Sequence, residues 1–156
     1  MLSYAAQIGA GRMDASLAYN YNTTKVLSGT TSAVGNTTQR RVFEDRLPKH
    51  NGTATLGYEI GPVSVLGRAR YYGNWTDISG NATGEIFQDF GSMVLFDLSA
   101  AYTFDEHFTL RAGAENLFDS YPDEATNQAV RGLIYSRNAP YDTDGGQYYV
   151  RLGVTF

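Results

Sequence analysis

Two adjacent runs of alternating residues constrain this chain more than anything else in it. Val94, Phe96, Leu98, Ala100, Tyr102 and Phe104 fall on every second position, with Leu95, Asp97, Ser99, Ala101 and Thr103 between them. Period two, with one apolar face and one mostly small or polar face, predicts a strand exposed to two different environments. Asp105-Glu106-His107 interrupts, and a second run follows, with Phe108, Leu110, Ala112 and Ala114 on one face and Thr109, Arg111, Gly113 and Glu115 on the other. Two such runs joined by a short polar break predict an antiparallel hairpin within Phe90–Asp119. Its strands are long, about ten residues each, where a soluble strand is mostly about five or six and a tilted membrane-crossing strand needs about 9–11. Phe90, Tyr102, Phe104, Phe108 and Phe118 stand near strand ends, where a membrane barrel places its aromatic girdles.

Composition narrows the classes. With 156 residues the chain is long enough for one domain with a sizeable core. It has no cysteine, so it forms no disulfide and no thiolate metal site, and its net charge of −4 argues against a general nucleic-acid binder. Mean hydropathy is −0.32 and no run of apolar residues is long enough for a transmembrane helix. A barrel strand hides its hydrophobicity in alternation, so that average does not exclude a membrane barrel. The opening MLSYAAQIGAGRMDAS lacks a basic stretch followed by an apolar one and does not read as a signal peptide.

Taken in order, Leu2–Ile8 reads as a strand stub and Gly9–Arg12 as a turn. Met13, Ala15, Leu17, Tyr19 and Tyr21 then alternate with polar or small residues as the first full strand. Asn22–Lys49 reads as a long polar connection. Alternation returns from Gly52 to Ile60, Gly61-Pro62 makes a tight turn, and Val63–Tyr72 is the next strand. Asn74–Asp89 and Ser120–Gly146 read as two more long polar connections on either side of the central hairpin, and QYYVRLGVTF is the last strand. Short and long connections therefore alternate, the asymmetry of outer-membrane barrels with short periplasmic turns and long extracellular loops. Arg68, Arg70, Asp97, Arg111, Glu115 and Arg151 all fall on the face opposite the apolar one. In lipid an arginine near the midplane would cost about 2–4 kcal/mol, so these charges are expected on a wetted lumen wall. The expected fold is an all-β, antiparallel, up-and-down transmembrane β-barrel segment of about six strands plus a stub, an incomplete barrel.

The segment FDLSAAYTFDEHFTLRAGAENLFD, then Tyr121-Pro122, a long loop and a final strand ending in Phe156, resembles the C-terminal end of a TonB-dependent outer-membrane receptor. In that family a motif E/V-N-L-F-D/N closes the penultimate strand, matched here by Glu115, Asn116, Leu117, Phe118 and Asp119, and an aromatic residue ends the last strand. Leu17–Lys25 is similar to a recurring strand-to-loop segment of the same family. The resemblance runs over essentially all of 1–156 and implies a barrel of about 22 strands filled by a plug. It implies a partner, TonB, engaged through an N-terminal part that these residues do not contain. The final strand resembles the signal read by the barrel-assembly machinery, carried by Tyr148, Val150, Leu152, Val154 and Phe156. The implied function is active uptake of a scarce nutrient, such as an iron-siderophore complex, a vitamin or a sugar, across the outer membrane of a Gram-negative bacterium. Six tilted strands leave two open edges, which hydrocarbon does not tolerate, so the segment is not expected to transport alone. Its expected partners are outer-membrane lipid, the assembly machinery and the rest of the receptor's barrel and plug.

Other chemistry reads weakly. Asp142–Gly146 has a trace of a calcium loop but lacks its later ligands, and a polar turn fits better. His50 and His107 are the only histidines, and no nucleophile motif surrounds any serine, so no catalytic residue, cofactor or metal site is expected. The Asn-x-Thr triplets at Asn22, Asn36, Asn51, Asn74 and Asn81 reflect Asn/Thr-rich loops, and Tyr72, Trp75, Tyr135, Tyr141 and Tyr149 read mainly as girdle or loop packing. Two other classes fit the alternation: a small structural or adhesion barrel assembled from several copies, and a soluble β-sheet binding module. Dependence on detergent separates the second of these from the rest.

Overall fold

The computed structural model describes residues 1–29, 35, 37–81, 84–105, 107–126 and 132–155. The strands are β1 (Leu2–Ile8), β2 (Gly11–Tyr21), β3 (His50–Ile60), β4 (Val63–Tyr72), β5 (Trp75–Asn81), β6 (Gly84–Phe90), β7 (Met93–Phe104), β8 (Phe108–Glu115) and β9 (Gln147–Val154). One helix, α1, covers Thr37–Asp45. Seven strands form one antiparallel meander in the order β1-β2-β3-β4-β7-β8-β9, and β5 and β6 pair separately. β1 pairs with β2 along its whole length, from Leu2 opposite Leu17 to Ile8 opposite Gly11, so the expected stub is a seventh full member of the sheet.

The short turns all lie at one end of the sheet. Each contains a residue with positive φ: Gly9 at 62°, Gly61 at 53° and Asp105 at 54°. A tight antiparallel turn needs left-handed backbone, which glycine adopts freely and aspartate tolerates. The first turn is only Gly9-Ala10, since β2 already begins at Gly11. At the other end lie the three long connections, and two of them hold more structure than their polar composition suggests. α1 lies inside the stretch from Asn22 to Lys49, and the β5–β6 hairpin fills the one from Asn74 to Asp89. The third, between β8 and β9, contains no helix or strand among the described residues.

The sheet is inside out by the standard of a soluble protein. Along β7, Met93, Leu95, Asp97, Ser99 and Ala101 are buried, while Val94, Phe96, Leu98, Ala100 and Tyr102 between them are exposed. Register carries the same division across the meander: Tyr4, Ala15, Leu56, Gly67, Leu98, Ala114 and Tyr148 form one apolar rung, and Ala5, Asp14, Gly57, Leu66, Ser99, Gly113 and Tyr149 form a rung of the opposite face. On β9 the apolar residues are the most open, with Tyr148 at 72% and Val150 at 73%. Soluble monomers rarely expose contiguous apolar surface on this scale.

A conventional core exists only at the long-loop end. Trp75 and Phe90 stack with ring centroids 4.6 Å apart and are buried together with Ala125. Met93, Leu95 and Tyr141 form a second buried cluster, with Tyr72 and Ala139 against it. The β5–β6 hairpin and the β8–β9 connection are thus packed into one cap, which reaches the charged face of β7 through Leu95. α1 joins its edge: Arg41 lies 4.3 Å from the Phe87 ring centroid, and Arg46 donates to the Ile78 carbonyl at 3.0 Å. No helix among the described residues is long and apolar enough to cross a membrane.

Candidate functional site

The candidate site is the charged face of the sheet and the cap that overhangs it. Its centre is Asp97, buried and facing three donors. Arg68, directly opposite on β4, donates from Nε to Oδ2 at 2.8 Å. Arg70, one diagonal step away, donates from Nη2 to Oδ1 at 2.8 Å, and the Asn116 backbone N–H reaches the same oxygen at 3.0 Å. Directly opposite and diagonal positions on one face are within side-chain reach, so period two alone brings these three side chains together. One carboxylate is shared by two guanidinium groups, and Glu115 lines the same hollow as Arg68 and Asp97. Arg12 pairs with Asp14 on the same face at 2.9 Å.

The remaining charges there are more dispersed. Arg111 reaches the Ser99 hydroxyl at 3.4 Å, Arg151 lies 5.4 Å from the ring centroid of Tyr149, and Glu115 is exposed opposite Gln147. Tyr149 in turn covers Gly113: a Cβ at that glycine would stand 2.6 Å from the tyrosine ring and 2.9 Å from the Ser99 Cβ. A strand glycine covered by an aromatic ring is a device for pinning register, and the ring here needs the missing side chain.

The segment Glu115–Asp119 terminates β8. Asn116 has φ 49° and Asp119 has φ 51°, left-handed values that Asn and Asp tolerate better than other side-chain-bearing residues. The Asn116 side chain holds Ser120 twice, donating from Nδ2 to the Ser120 carbonyl at 2.8 Å and accepting the Ser120 N–H at Oδ1 at 3.0 Å. Asp119 Oδ1 accepts the Gly146 N–H at 2.7 Å, which ties the start of the long connection to its end just before β9. The Leu117 N–H donates to the Phe96 carbonyl at 2.6 Å, and Phe118 packs edge-on to Phe96 at the apolar face. Gly145, at φ 82°, lies under Tyr121, and the Asp119 carboxylate raises that phenol above its ordinary range.

The cap has a polar centre that the sequence did not disclose. Asp77 is fully buried in β5. It accepts the Ser136 hydroxyl at 2.5 Å and the Asn138 amide at 2.9 Å, so it fastens the hairpin to the β8–β9 connection. The Trp75 indole N–H donates to the Tyr141 hydroxyl at 3.2 Å, the Gln88 amide donates to the Glu124 carbonyl at 2.7 Å, and Asp123 accepts the Gly91 N–H at 3.2 Å. A polar residue beside tryptophan in a run such as Trp75–Asn81 gives no local signal of burial, because its partners lie far along the chain.

The other residues singled out from sequence fall elsewhere. Tyr148, Val150, Leu152 and Val154 line the apolar face of β9 and are exposed, while Phe156 lies outside the described residues. Asp142 accepts the Asp144 N–H at 2.9 Å in a local turn, and no group of three or more metal-ligating side chains occurs among the described residues. His50 shares a hydrogen bond of 2.6 Å with the Tyr19 hydroxyl and lies tilted against the Tyr21 ring, and His107 contacts the Thr155 carbonyl at 3.1 Å.

An up-and-down antiparallel sheet with an exposed apolar face, a charged opposite face and every long connection at one end is the wall of a transmembrane β-barrel, here an open portion of one. The family described as TonB dependent receptor-like, beta-barrel, matches residues 2–117, and the chain belongs to it. Among solved structures it is similar to the copper transporter OprC, at 25% identity and TM-score 0.56, covering 99% of this chain and 22% of that one. It is also similar to a mutant of the ferric enterobactin receptor PfeA from Pseudomonas aeruginosa, at 15% identity and TM-score 0.58, covering 99% and 21%. FpvA of P. aeruginosa, solved in complex with a heterologous pyoverdine and iron, matches at 16% identity and TM-score 0.54, covering 77% and 15%. The chain therefore spans about a fifth or less of the length of these proteins. No curated protein sequence matches it.

Proposed function

We propose that residues 1–156 are the C-terminal part of the barrel of a TonB-dependent receptor in the outer membrane of a Gram-negative bacterium. The apolar face meets lipid, and the face holding Arg68, Arg70, Asp97, Arg111, Glu115 and Arg151 lines the lumen. The parent receptor takes up a scarce nutrient, and the neighbouring structures favour a metal ion or its chelate. The segment serves as wall of the receptor, and no group of three or more metal-ligating side chains occurs among its described residues. Energy reaches the parent from TonB through its N-terminal part. Tyr148, Val150, Leu152, Val154 and Phe156 carry the signal read by the assembly machinery, whose recognition proceeds by strand addition.

One observation carries this reading: the sheet exposes Val94, Phe96 and Leu98 and covers Asp97. Water penalises that pattern and a bilayer around a wet lumen rewards it. Among the described residues both outer edges of the meander, β1 and β9, have unpaired ladders, and further strands must satisfy them in a membrane. The test is the intact mass of the polypeptide carrying these peptides in the outer-membrane fraction of its source cell. The expected species is several times heavier than 17.1 kDa. A mature membrane species near 17.1 kDa would sink the receptor reading and favour a barrel assembled from several copies.

A further inference from the structure

We propose that the apolar face carries a seat for one fatty acyl chain of a phospholipid, a trough along β3 and β4 whose long-loop end holds the lipid's polar part at Tyr19 and His50. The proposal rests on the reading above, which turns this face to lipid, and adds that one lipid is held at a defined place. Two neighbouring rungs shape the trough, Leu17–Ala54–Ala69–Phe96 and Ala15–Leu56–Gly67–Leu98. Ala15, Ala54, Gly67 and Ala69 make a low floor, and Leu56, Phe96 and Leu98 stand beside it. Phe118, 67% exposed and edge-on to Phe96, raises one side further. The hollow has a volume of about 470 Å³. Sites for small molecules measure about 300–1,000 Å³.

The floor is kept low by glycines that this chain's own packing does not require. Gly11, on the same face, lies under Tyr58, whose ring would stand 2.5 Å from a Cβ there. A Cβ at Gly67 would meet only the Leu56 carbonyl oxygen, at 4.0 Å, and one at Gly52 would meet nothing closer than 3.6 Å. Neither Gly52 nor Gly67 has positive φ. A glycine inside a strand weakens it and is a mark of close approach by a ligand or another backbone. At Gly52 and Gly67 that approach comes from outside the chain.

Polarity and length fit a lipid. Toward the long loops the trough continues past Gly52, between Tyr19 and Tyr71, to the hydrogen bond of 2.6 Å that joins the Tyr19 hydroxyl to His50. Apolar lining thus gives way to hydrogen-bonding groups, as a lipid's chain gives way to its polar part. From His50 to Leu56 the strand rises about 20 Å, or about 14 Å across a bilayer at a tilt of about 45°, half of a hydrocarbon core of about 30 Å. The trough therefore crosses one leaflet and ends near the midplane, the reach of one acyl chain. The flat face of a second wall would rest on Phe96 and Phe118 and leave the floor empty.

The test uses the full-length receptor, delipidated in detergent and returned to vesicles of phosphatidylethanolamine and phosphatidylglycerol doped with a phospholipid that carries a diazirine on its acyl chain. Irradiation and peptide mass mapping locate the label, once in the vesicles and once after exchange into lipid-free detergent. In the vesicles label is expected over the whole apolar face, and its absence there defeats the lipid-facing reading itself, a separate outcome. After exchange, label is expected only around Ala54, Ala69 and Phe96. Ala54→Leu combined with Gly67→Leu fills the trough and should abolish the retained label, while Ala112→Leu, on the same face outside the trough, should keep it. The heat-modifiable gel shift checks that both variants fold, and the wild-type map decides without them. Loss of all label on exchange, label spread evenly over the apolar face after exchange, or retention by the folded, filled variant overturns the proposal. Irradiation of Ala69→p-benzoylphenylalanine in the same vesicles is expected to give an adduct of the lipid's mass. A covalent receptor dimer would instead seat a second copy on this face and overturn the proposal.

Discussion

Along β7 every second residue from Val94 to Tyr102 is open, whereas Trp75, Thr76, Asp77 and Ile78 at the start of β5 are all buried. Both are antiparallel strands of one chain, yet they are held by different means. The wall relies on its backbone ladder and on surroundings that cover its apolar face, most of which lies open among the described residues, with Phe118 against Phe96. The cap buries Trp75, Thr76, Asp77 and Ile78 among its own residues, with the aromatic stack on Trp75 and the Ser136 and Asn138 contacts to Asp77. The wall is therefore stable only in its membrane and its barrel, while the cap carries its own core as a soluble domain does. Substitutions should sort by region, each affecting one and leaving the other in place.

The largest separation is expected from Trp75→Ala. It removes the stack on Phe90 and the donor to Tyr141 from a fully packed site, a change worth about 3–5 kcal/mol in a core. The loss falls on the cap, so hydrogen exchange and proteolysis across the β8–β9 connection should rise sharply. The heat-modifiable gel shift of the folded barrel should persist, and its disappearance would show that cap and wall fold as one unit. The mirror experiment is Leu98→Arg on the exposed face of β7. In a bilayer it costs about 2–4 kcal/mol near the midplane. Folding yield into vesicles should fall, while exchange in the cap of the molecules that do fold stays unchanged. Full folding of this variant in lipid would contradict the lipid-facing assignment.

Gly113→Ala tests the wall from its charged face. The new methyl group meets the Tyr149 ring and the Ser99 Cβ, and overpacking of this kind costs about 1–3 kcal/mol. Tyr149 ends in a movable ring, but Ser99 is held in the adjacent strand, so part of the cost persists after the ring shifts. Urea titration in detergent should show a lowered midpoint, and Gly113→Ala combined with Tyr149→Ala should recover part of it.

The same contrast explains what could be read from the sequence. A wall strand has one wet face and one dry face, so its residue types alternate, and six strands of the meander were visible in that pattern, while Leu2–Ile8 read only as a stub. Asp97, Arg68 and Arg70 fell on one face for the same reason. The start of β5, Trp75–Ile78, is buried at every position, and the sequence of the strand, Trp-Thr-Asp-Ile-Ser-Gly-Asn, carries no periodicity that separates it from a loop. α1 is nine residues long, and Thr38 is its only buried position, so no apolar stripe marks it. The partners of Asp77 lie near residue 136, and no local rule connects them. Glu115–Asp119 stood out as a motif, but its physical role needed the backbone: Asn116 and Asp119 occupy left-handed conformations that close β8.

Tyr141 gives the smallest effect and the finest distinction between the regions. Burial raises its phenol above the ordinary tyrosine range and outweighs the Trp75 N–H bond, which acts in the opposite direction. A raised folded-state value means that the folded cap holds this proton more tightly than the unfolded chain does. The associated stability is fully present below the unfolded value of about 10 and is lost as pH rises through the higher folded value. Above pH of about 10, exchange in the cap should therefore accelerate. Fluorine NMR of 5-fluorotryptophan, with the Trp75 resonance assigned by its loss in Trp75→Phe, follows the same transition at the centre of the cap. Tyr141→Phe removes the titrating group and should flatten that pH dependence. At neutral pH it costs about 1 kcal/mol, because the Trp75 indole loses its acceptor. An unchanged alkaline transition in Tyr141→Phe would assign it to another group and leave the cap's packing, rather than this phenol, as what alkali disturbs.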